Sequence, residues 1–280
     1  GHVVSDQSVY AINSGPASAP QAALHIAEPW DLKNIITVDM GGTSFDITLT
    51  RDGRANVSKN IDFLRYRIGI PMIQVETLGA GGGSIGWIDS MGLMQMGPQS
   101  AGSEPGPACY DRGGTLPTIT DAHVIRGTIR PEAFLGGTMK ILREKSEAAF
   151  VPLAKQLGMT VPQAANAALR LAAANIVRAI QLVSTEKGHD PRDYALVPFG
   201  GAGPLMAVEV AEELGLDMVM VPPNAGVLSA YGLIASDFLK IYTITRRTRI
   251  DDAAPAMPES PVHPTPDPSH GKMATPRRCC

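Results

Sequence analysis

The sequence predicts an α/β fold, on three observations. Two apolar runs, Ile35-Ile36-Thr37-Val38 and Ala195-Leu196-Val197-Pro198-Phe199, each pass directly into a glycine turn. The first turn is Asp39-Met40-Gly41-Gly42-Thr43-Ser44-Phe45-Asp46 and the second is Gly200-Gly201-Ala202-Gly203-Pro204. Such runs ending in glycine read as strands that bend sharply. Residues 205–214, behind the second turn, have helical spacing, and Pro204 sits near the first turn, where the N–H it lacks would be unpaired anyway. Strand, turn and helix in that order either bring a backbone against a ligand or simply cross over between layers. The third observation is a long alanine-rich segment, 160–187, whose low bulk on several faces suits close packing between other elements.

Taken in order, residues 20–27 form a short helix behind the turn Ser14-Gly15-Pro16. Residues 35–39 and 47–50 are strands flanking the first glycine turn, and Asp52-Gly53 is a hairpin turn into a third strand. The stretch 65–137 is rich in glycine and proline, with short apolar runs at 73–78 and 85–88. It keeps aromatic and β-branched residues and few charges, which makes it an ordered, loop-rich subdomain inserted into the core rather than a linker. Within it, Gly79-Ala80-Gly81-Gly82-Gly83-Ser84 is the most permissive backbone of the chain, either a flexible tip or a surface approached closely by a ligand. Asp121, between Thr120 and the apolar Val124-Ile125, is either a helix N-cap or a carboxylate at a cleft.

Residues 142–156 are helical in spacing, with a kink or break expected near Pro152. Thr160 and Gln163 form a capping box, and the helix they open runs to Lys187 and stops at Gly188. Residues 218–221 read as a buried parallel strand and 227–235 as a helix. A basic strand follows at 241–250, with Arg246, Arg247 and Arg249. Residues 251–280 carry prolines at 255, 258, 261, 264, 266 and 268, a density that prevents helix and ladder alike and predicts disorder.

The first glycine turn carries phosphate-and-metal chemistry. Gly41 and Gly42 let the main chain approach an anion, Thr43 adds a hydroxyl donor, and Asp39 and Asp46 are hard oxygen donors suited to Mg²⁺ or its bound water. The competing reading is a hairpin turn held by glycines. Gly200, Gly201 and Gly203 stand in the same position behind the second run.

Composition narrows the function. A net charge of −3 gives no electrostatic case for nucleic-acid binding. Aromatic residues make up 5% of the chain against 29 glycines, which suits a turn-rich enzyme rather than a base-stacking module. Neither a membrane span nor a signal peptide is evident, so no membrane partner and a cytoplasmic location are expected. The three cysteines make no disulfide framework: Cys109 reads as a packed, buried thiol, and Cys279 and Cys280 as an exposed pair. Six histidines, including His123 and His189, have no metal-ligand spacing.

Several further blocks stand in fixed order: Leu78 to Ile85, Gly97-Pro98-Gln99-Ser100-Ala101-Gly102, Pro105-Gly106-Pro107-Ala108-Cys109-Tyr110, Pro117 to Ala122, Phe134-Leu135-Gly136-Gly137 and Gly226-Val227-Leu228-Ser229-Ala230. With the two glycine turns, they resemble the hydantoinase A and 5-oxoprolinase family from about residue 10 to 245. The resemblance implies an actin-like, ribonuclease H-type ATPase lobe spanning residues 1–250. In it, 39–46 is a phosphate loop, 199–205 an adenosine loop, and 226–234 the connecting helix. It also implies ATP and Mg²⁺ as cofactors and a hydantoinase B-type partner subunit. The family's other Asp-x-Gly-Gly-Thr loop has no copy here, so the chain is expected to be a fragment holding one wall of a two-lobed cleft. Departures from the family pattern are Phe45 for a small polar residue, Met206 for a common histidine and Asp111 for a glycine.

The expected activity is ATP-dependent hydrolysis of a cyclic amide, a hydantoin or 5-oxoproline, through phosphoryl activation of the amide. Asp39 holds the metal, Asp39 and Asp121 are the candidate catalytic carboxylates, and Gly41, Gly42, Thr43, Asp46, Gly200, Gly201 and Gly203 bind the nucleotide. The alternatives are a subunit of an ATP-dependent ketone carboxylase and a non-catalytic nucleotide-binding or scaffolding lobe.

Overall fold

The computed structural model describes residues 14–58, 60–63 and 65–235. The elements in order are α1 (Ser14–Ala27), β1 (Ile35–Met40), β2 (Phe45–Arg51), β3 (Arg54–Ala55), β4 (Val57–Ser58), β5 (Ile61–Phe63), β6 (Tyr66–Ile68), β7 (Met72–Ile73), β8 (Glu76–Leu78), β9 (Ser84–Ile88), β10 (Met94–Ser100), α2 (Ile119–Arg126), α3 (Arg143–Leu157), α4 (Val161–Val183), β11 (Ala195–Phe199), α5 (Gly203–Leu214) and α6 (Leu228–Ala235). The main sheet has the order β11-β1-β2-β3, with β8 also paired to β2. β1 is parallel to β11 and antiparallel to β2.

Helices cover both faces of this sheet, which is why β1 and β11 are apolar at consecutive rather than alternate positions. Ile36, Val38 and Met40 point to one side with Leu196, into a core built on α4. Ile35 and Val197 point to the other, against Ala23 and Ala27 of α1, and Phe199 packs with Ala19, Ala22 and Leu228. Each such aliphatic side chain contributes about 1.5–3 kcal/mol on burial. The hydroxyls of Thr37 and Thr48, paired in register across β1 and β2, hydrogen-bond to each other on the α1 side.

α4 is the central helix, in contact with α2, α3 and α5. The Thr160–Gln163 capping box forms as expected, with Thr160 N donating to Gln163 Oε1 at 2.9 Å. The helix ends at Val183, and a 3-10 turn, Thr185–Lys187, carries the chain to Gly188. By length and composition this segment is apolar enough to cross a membrane, but its alanines at 164, 165, 168, 172 and 173 are buried against the other helices and the sheet.

Several expectations change. α1 starts at Ser14, with Pro20 inside it. α3 runs through Pro152 without ending, because Pro152 and Ala148, whose carbonyl loses its partner, both lie on the exposed face. Residues 218–221 form not a buried strand but a single parallel bridge, Leu196 to Val219, at the sheet edge, with Met218 and Val221 exposed. The stretch 65–137 is tied into the main body at both ends: β8 joins the main sheet and α2 packs on α4. The expected strand at 241–250, the tail at 251–280, Cys279 and Cys280 lie outside the described residues.

Candidate functional site

Because β1 and β11 are parallel neighbours with Asp39 opposite Phe199, the two glycine turns leave the sheet at the same edge. They touch there: Ala202 N donates to Met40 O at 2.9 Å. Gly200 has φ +79°, and a β-carbon on it would collide with Asp39 Oδ1 and the Met40 carbonyl. Gly203, at the start of α5, is held against β1, where a β-carbon would meet Val38 O at 3.4 Å. Gly41, Gly42, Thr43, Gly200, Gly201 and Gly203 are therefore brought together, at the carboxyl ends of two strands, where open α/β sheets bind ligands.

The donors at this edge are available. Gly41 N closes the turn on Ser44 O at 3.1 Å. The N–H groups of Gly42 and Thr43 and the Thr43 hydroxyl have no partner among the described residues, and both residues are exposed. A β-carbon on Gly42 would have nothing within 4 Å. Beside them lies the N-terminus of α5, where Pro204 has no N–H and Leu205 N donates to Ala202 O at 3.1 Å, so that what this helix end offers an anion is chiefly its dipole. A groove between α4 and α5, lined by Ala167, Arg170, Glu212 and Glu213, contains none of these residues. The glycine turns form an open edge instead.

Two carboxylates flank the turn. Asp39 and Asp46 are directly opposite across β1 and β2, on the sheet face that carries α1 and α6. Ser229 of α6 donates to Asp39 Oδ2 at 3.4 Å, and Thr77 of β8 donates to Asp46 Oδ1 at 2.6 Å. Burial first, and then the neighbouring Asp46 charge, raise the Asp39 carboxyl above its ordinary range. A raised carboxyl makes the folded state hold its proton longer than the unfolded state, so this group lowers stability as pH rises above the usual carboxylate range. Asp39→Asn is accordingly expected to raise the melting temperature of the metal-free chain at pH 7 but not at pH 3. Thermal unfolding in chelator at the two pH values checks it.

A third glycine segment closes against the first. Gly82 N donates to Gly41 O at 3.0 Å and Gly83 N to Gly42 O at 2.7 Å. A β-carbon on Gly81 would lie 2.5 Å from Gly42 C and Thr43 N. The glycines at 81–83 are thus neither a flexible tip nor a ligand-facing surface. They let one main chain lie on another, and Thr120 of α2 locks the far side through N and Oγ1 bonds to Gly82 O at 2.8 and 2.9 Å.

Asp121 is not a cleft carboxylate. It is fully buried, at the third position of α2, where it forms a capping box with Thr118, the actual N-cap. Its oxygens accept from Ala108 N, Cys109 N, Thr118 N, Thr118 Oγ1 and Ser146 Oγ at 2.7–3.2 Å, which leaves no room for substrate. Cys109 is buried as expected, and burial and the Asp121 charge push its thiol pKa up, so it is not poised as a nucleophile. Met206 Sδ lies 3.2 Å from buried His123 Nε2, and burial holds that imidazole neutral with its pKa near 3. Sequence reasoning did not single out Thr77, whose only signal was its place two residues before Gly79 of the glycine block, and Ser229 appeared only as part of a block.

The family model described as hydantoinase/oxoprolinase matches residues 3–242. The caprolactamase subunit alpha of Pseudomonas jessenii is 50% identical over 253 residues, covering 90% of this chain and 36% of that protein. The crystal structure of the ATP-dependent caprolactamase from Pseudomonas jessenii has a TM-score of 0.74 at 52% identity, over 80% of this chain and 33% of that one. Nucleotide-free acetone carboxylase has a TM-score of 0.74 at 32% identity, over 80% of this chain and 32% of that one. The chain spans about a third of the length of these relatives. The α/β fold is shared with both solved enzymes, and with a match running over residues 3–242 the chain belongs to the hydantoinase/oxoprolinase family.

Proposed function

We propose that this chain forms one wall of an ATP site in an enzyme that opens a cyclic amide. The observation that carries the reading is the convergence at one sheet edge of two free N–H groups, a helix N-terminus and a facing pair of carboxylates. The N–H groups of Gly42 and Thr43 and the start of α5 suit phosphate oxygens, and the exposed turn at Gly200 and Gly201 suits the adenosine side. Among the described residues no cluster of three or more His, Cys, Asp or Glu side chains is assembled. Two facing carboxylates fit Mg²⁺ all the same, because that ion keeps several waters and binds through one or two protein oxygens plus phosphate. Asp39 and Asp46 would hold it, and when bound it would neutralise phosphate charge.

The chemical logic is that resonance makes a lactam carbonyl a poor electrophile. Transfer of the terminal phosphoryl group to the amide oxygen forms a P–O bond as the bond to ADP breaks, and it makes the ring carbon reactive. Water then adds at that carbon and the ring C–N bond breaks to give an amine and an acyl phosphate, which a second water hydrolyses to the carboxylate and inorganic phosphate. This chain's part is to orient the nucleotide and stabilise charge, the terms that dominate phosphoryl transfer. An activated amide is hydrolysed wastefully if exposed, so a hydantoinase B-type partner subunit would enclose the reaction. The subunit naming of the caprolactamase relative supports a partner, and use of ATP supports a cytoplasmic location. The higher identity to caprolactamase than to acetone carboxylase favours a lactam or related cyclic amide over ketone carboxylation, which would use the same phosphate wall.

Titration calorimetry with Mg²⁺-ATP tests this. Wild type is expected to bind, and Asp39→Ala to bind at least about 10-fold more weakly, as for loss of a charged contact worth about 1.5–3 kcal/mol. Gly42→Ala is expected to fold normally, since its β-carbon meets nothing, yet to weaken ATP binding by obstructing the phosphates. Identical heats for wild type and Asp39→Ala would leave only a scaffolding role.

A further inference from the structure

We infer that Thr77 is a positioning residue for the carboxylate pair, holding Asp46 so that its second oxygen joins Asp39 in binding a divalent cation. The inference rests on the metal-and-phosphate reading above and adds to it a residue outside the glycine turns. Asp39 and Asp46 are direct cross-strand partners on one face, an arrangement in which like charges repel. Without a restraint, a half-exposed Asp46 would swing away from its neighbour into water.

The restraint comes from the other side of β2. Asp46 is in register with Thr77 of β8, on the flank opposite Asp39. The Thr77 hydroxyl donates to Asp46 Oδ1 at 2.6 Å, the short length of a bond to a charged acceptor. This occupies Oδ1 and fixes the rotation of the carboxylate. Oδ2 is left without a hydrogen-bond partner among the described residues. Ser229 does the same on the far side, taking Asp39 Oδ2 at 3.4 Å and leaving Oδ1, which lies beside Gly200. Each carboxylate therefore keeps one oxygen free, the number suited to a cation that retains most of its waters.

Thr77 is itself exposed, so its hydroxyl would be satisfied by water and its methyl group buries nothing of consequence. β8 remains paired to β2 through the main chain whatever side chain stands at 77. The bond to Asp46 is what the hydroxyl specifically supplies. Outer partners that orient a ligating side chain are typically worth 10- to 100-fold in metal affinity.

The test uses Mn²⁺ alone as the probe on the full 280-residue chain, with free Mn²⁺ followed by electron paramagnetic resonance and no nucleotide present. Thr77→Val keeps the shape and β-propensity but removes the donor, and is expected to raise the Mn²⁺ dissociation constant about 10-fold. Thr77→Ser keeps the hydroxyl and is expected to stay close to wild type. A merely structural role predicts the reverse order, with valine harmless and serine damaging. If Thr77→Val binds Mn²⁺ as wild type does while Asp46→Asn loses it, or if serine fails as badly as valine, the role of Thr77 is overturned. If Asp46→Asn also leaves Mn²⁺ binding unchanged, the underlying metal reading falls with it.

Discussion

Replacing Asp121 with alanine is expected to lower the unfolding free energy by about 3–5 kcal/mol, enough to threaten folding of a typical domain. Five donors converge on this fully buried carboxylate: the N–H groups of Ala108, Cys109 and Thr118 and the hydroxyls of Thr118 and Ser146. They come from the loop before α2, from its N-cap and from α3. Each buried donor left without a partner costs about 1–3 kcal/mol, and the losses overlap because the groups relax together. Asp121→Asn separates this role from catalysis. An amide keeps the shape but offers one acceptor oxygen and two donors that face other donors, so it should destabilise as well. Urea unfolding of both variants checks the expectation, and normal stability with lost ATP turnover would restore Asp121 as a catalytic group.

Gly200→Ala is expected to cost about 2–4 kcal/mol and to abolish nucleotide binding, the sum of a left-handed backbone and a forced contact. The residue has φ +79°, and the added methyl group would enter the space of Asp39 Oδ1 while lying 2.5 Å from Met40 O. Relief requires pushing β1 and β11 apart or turning Asp39 out of place, and either change dismantles the edge at which the two turns meet. Gly201→Ala is the control. Its methyl group would meet nothing within 4 Å, so stability should stay within about 0.5 kcal/mol of wild type. Equal stability losses at the two positions, measured by urea unfolding, would mean that the close approach of Gly200 to Asp39 is not what the turn depends on.

Much of the scaffold was legible because local pattern and tertiary need agree in it. The runs at 35–38 and 195–199 are strands, the capping box at Thr160 opens α4, and the helix after Pro204 is α5. Elsewhere a local rule lost to context. Pro152 predicts a kink or a break, yet the helix does not end there, because the proline falls on the solvent side of α3, where a lost backbone bond is replaced by water. Residues 218–221 look like a buried strand by composition, but they bridge at a single residue of the sheet edge. Asp121 was ambiguous because a carboxylate near a helix start has the same sequence signature whether it serves the helix or a substrate.

The residue order alone determined that two strands end in glycine turns carrying Asp39, Gly41, Gly42, Thr43 and Gly200, because backbone freedom and apolar patterning are properties of short segments. Only the tertiary structure decided which glycines face a neighbour and which face open space. Gly81 and Gly200 are filled by another main chain or by Asp39, whereas Gly42 and Gly201 are free on that side. It also decided that Thr77 and Ser229, 31 and 190 residues from the carboxylates they brace, belong to the site. The physical reason is that a missing side chain or a hydroxyl is written identically in the sequence whatever it meets. Its partner is chosen by strand register and helix packing, which are set by the whole fold.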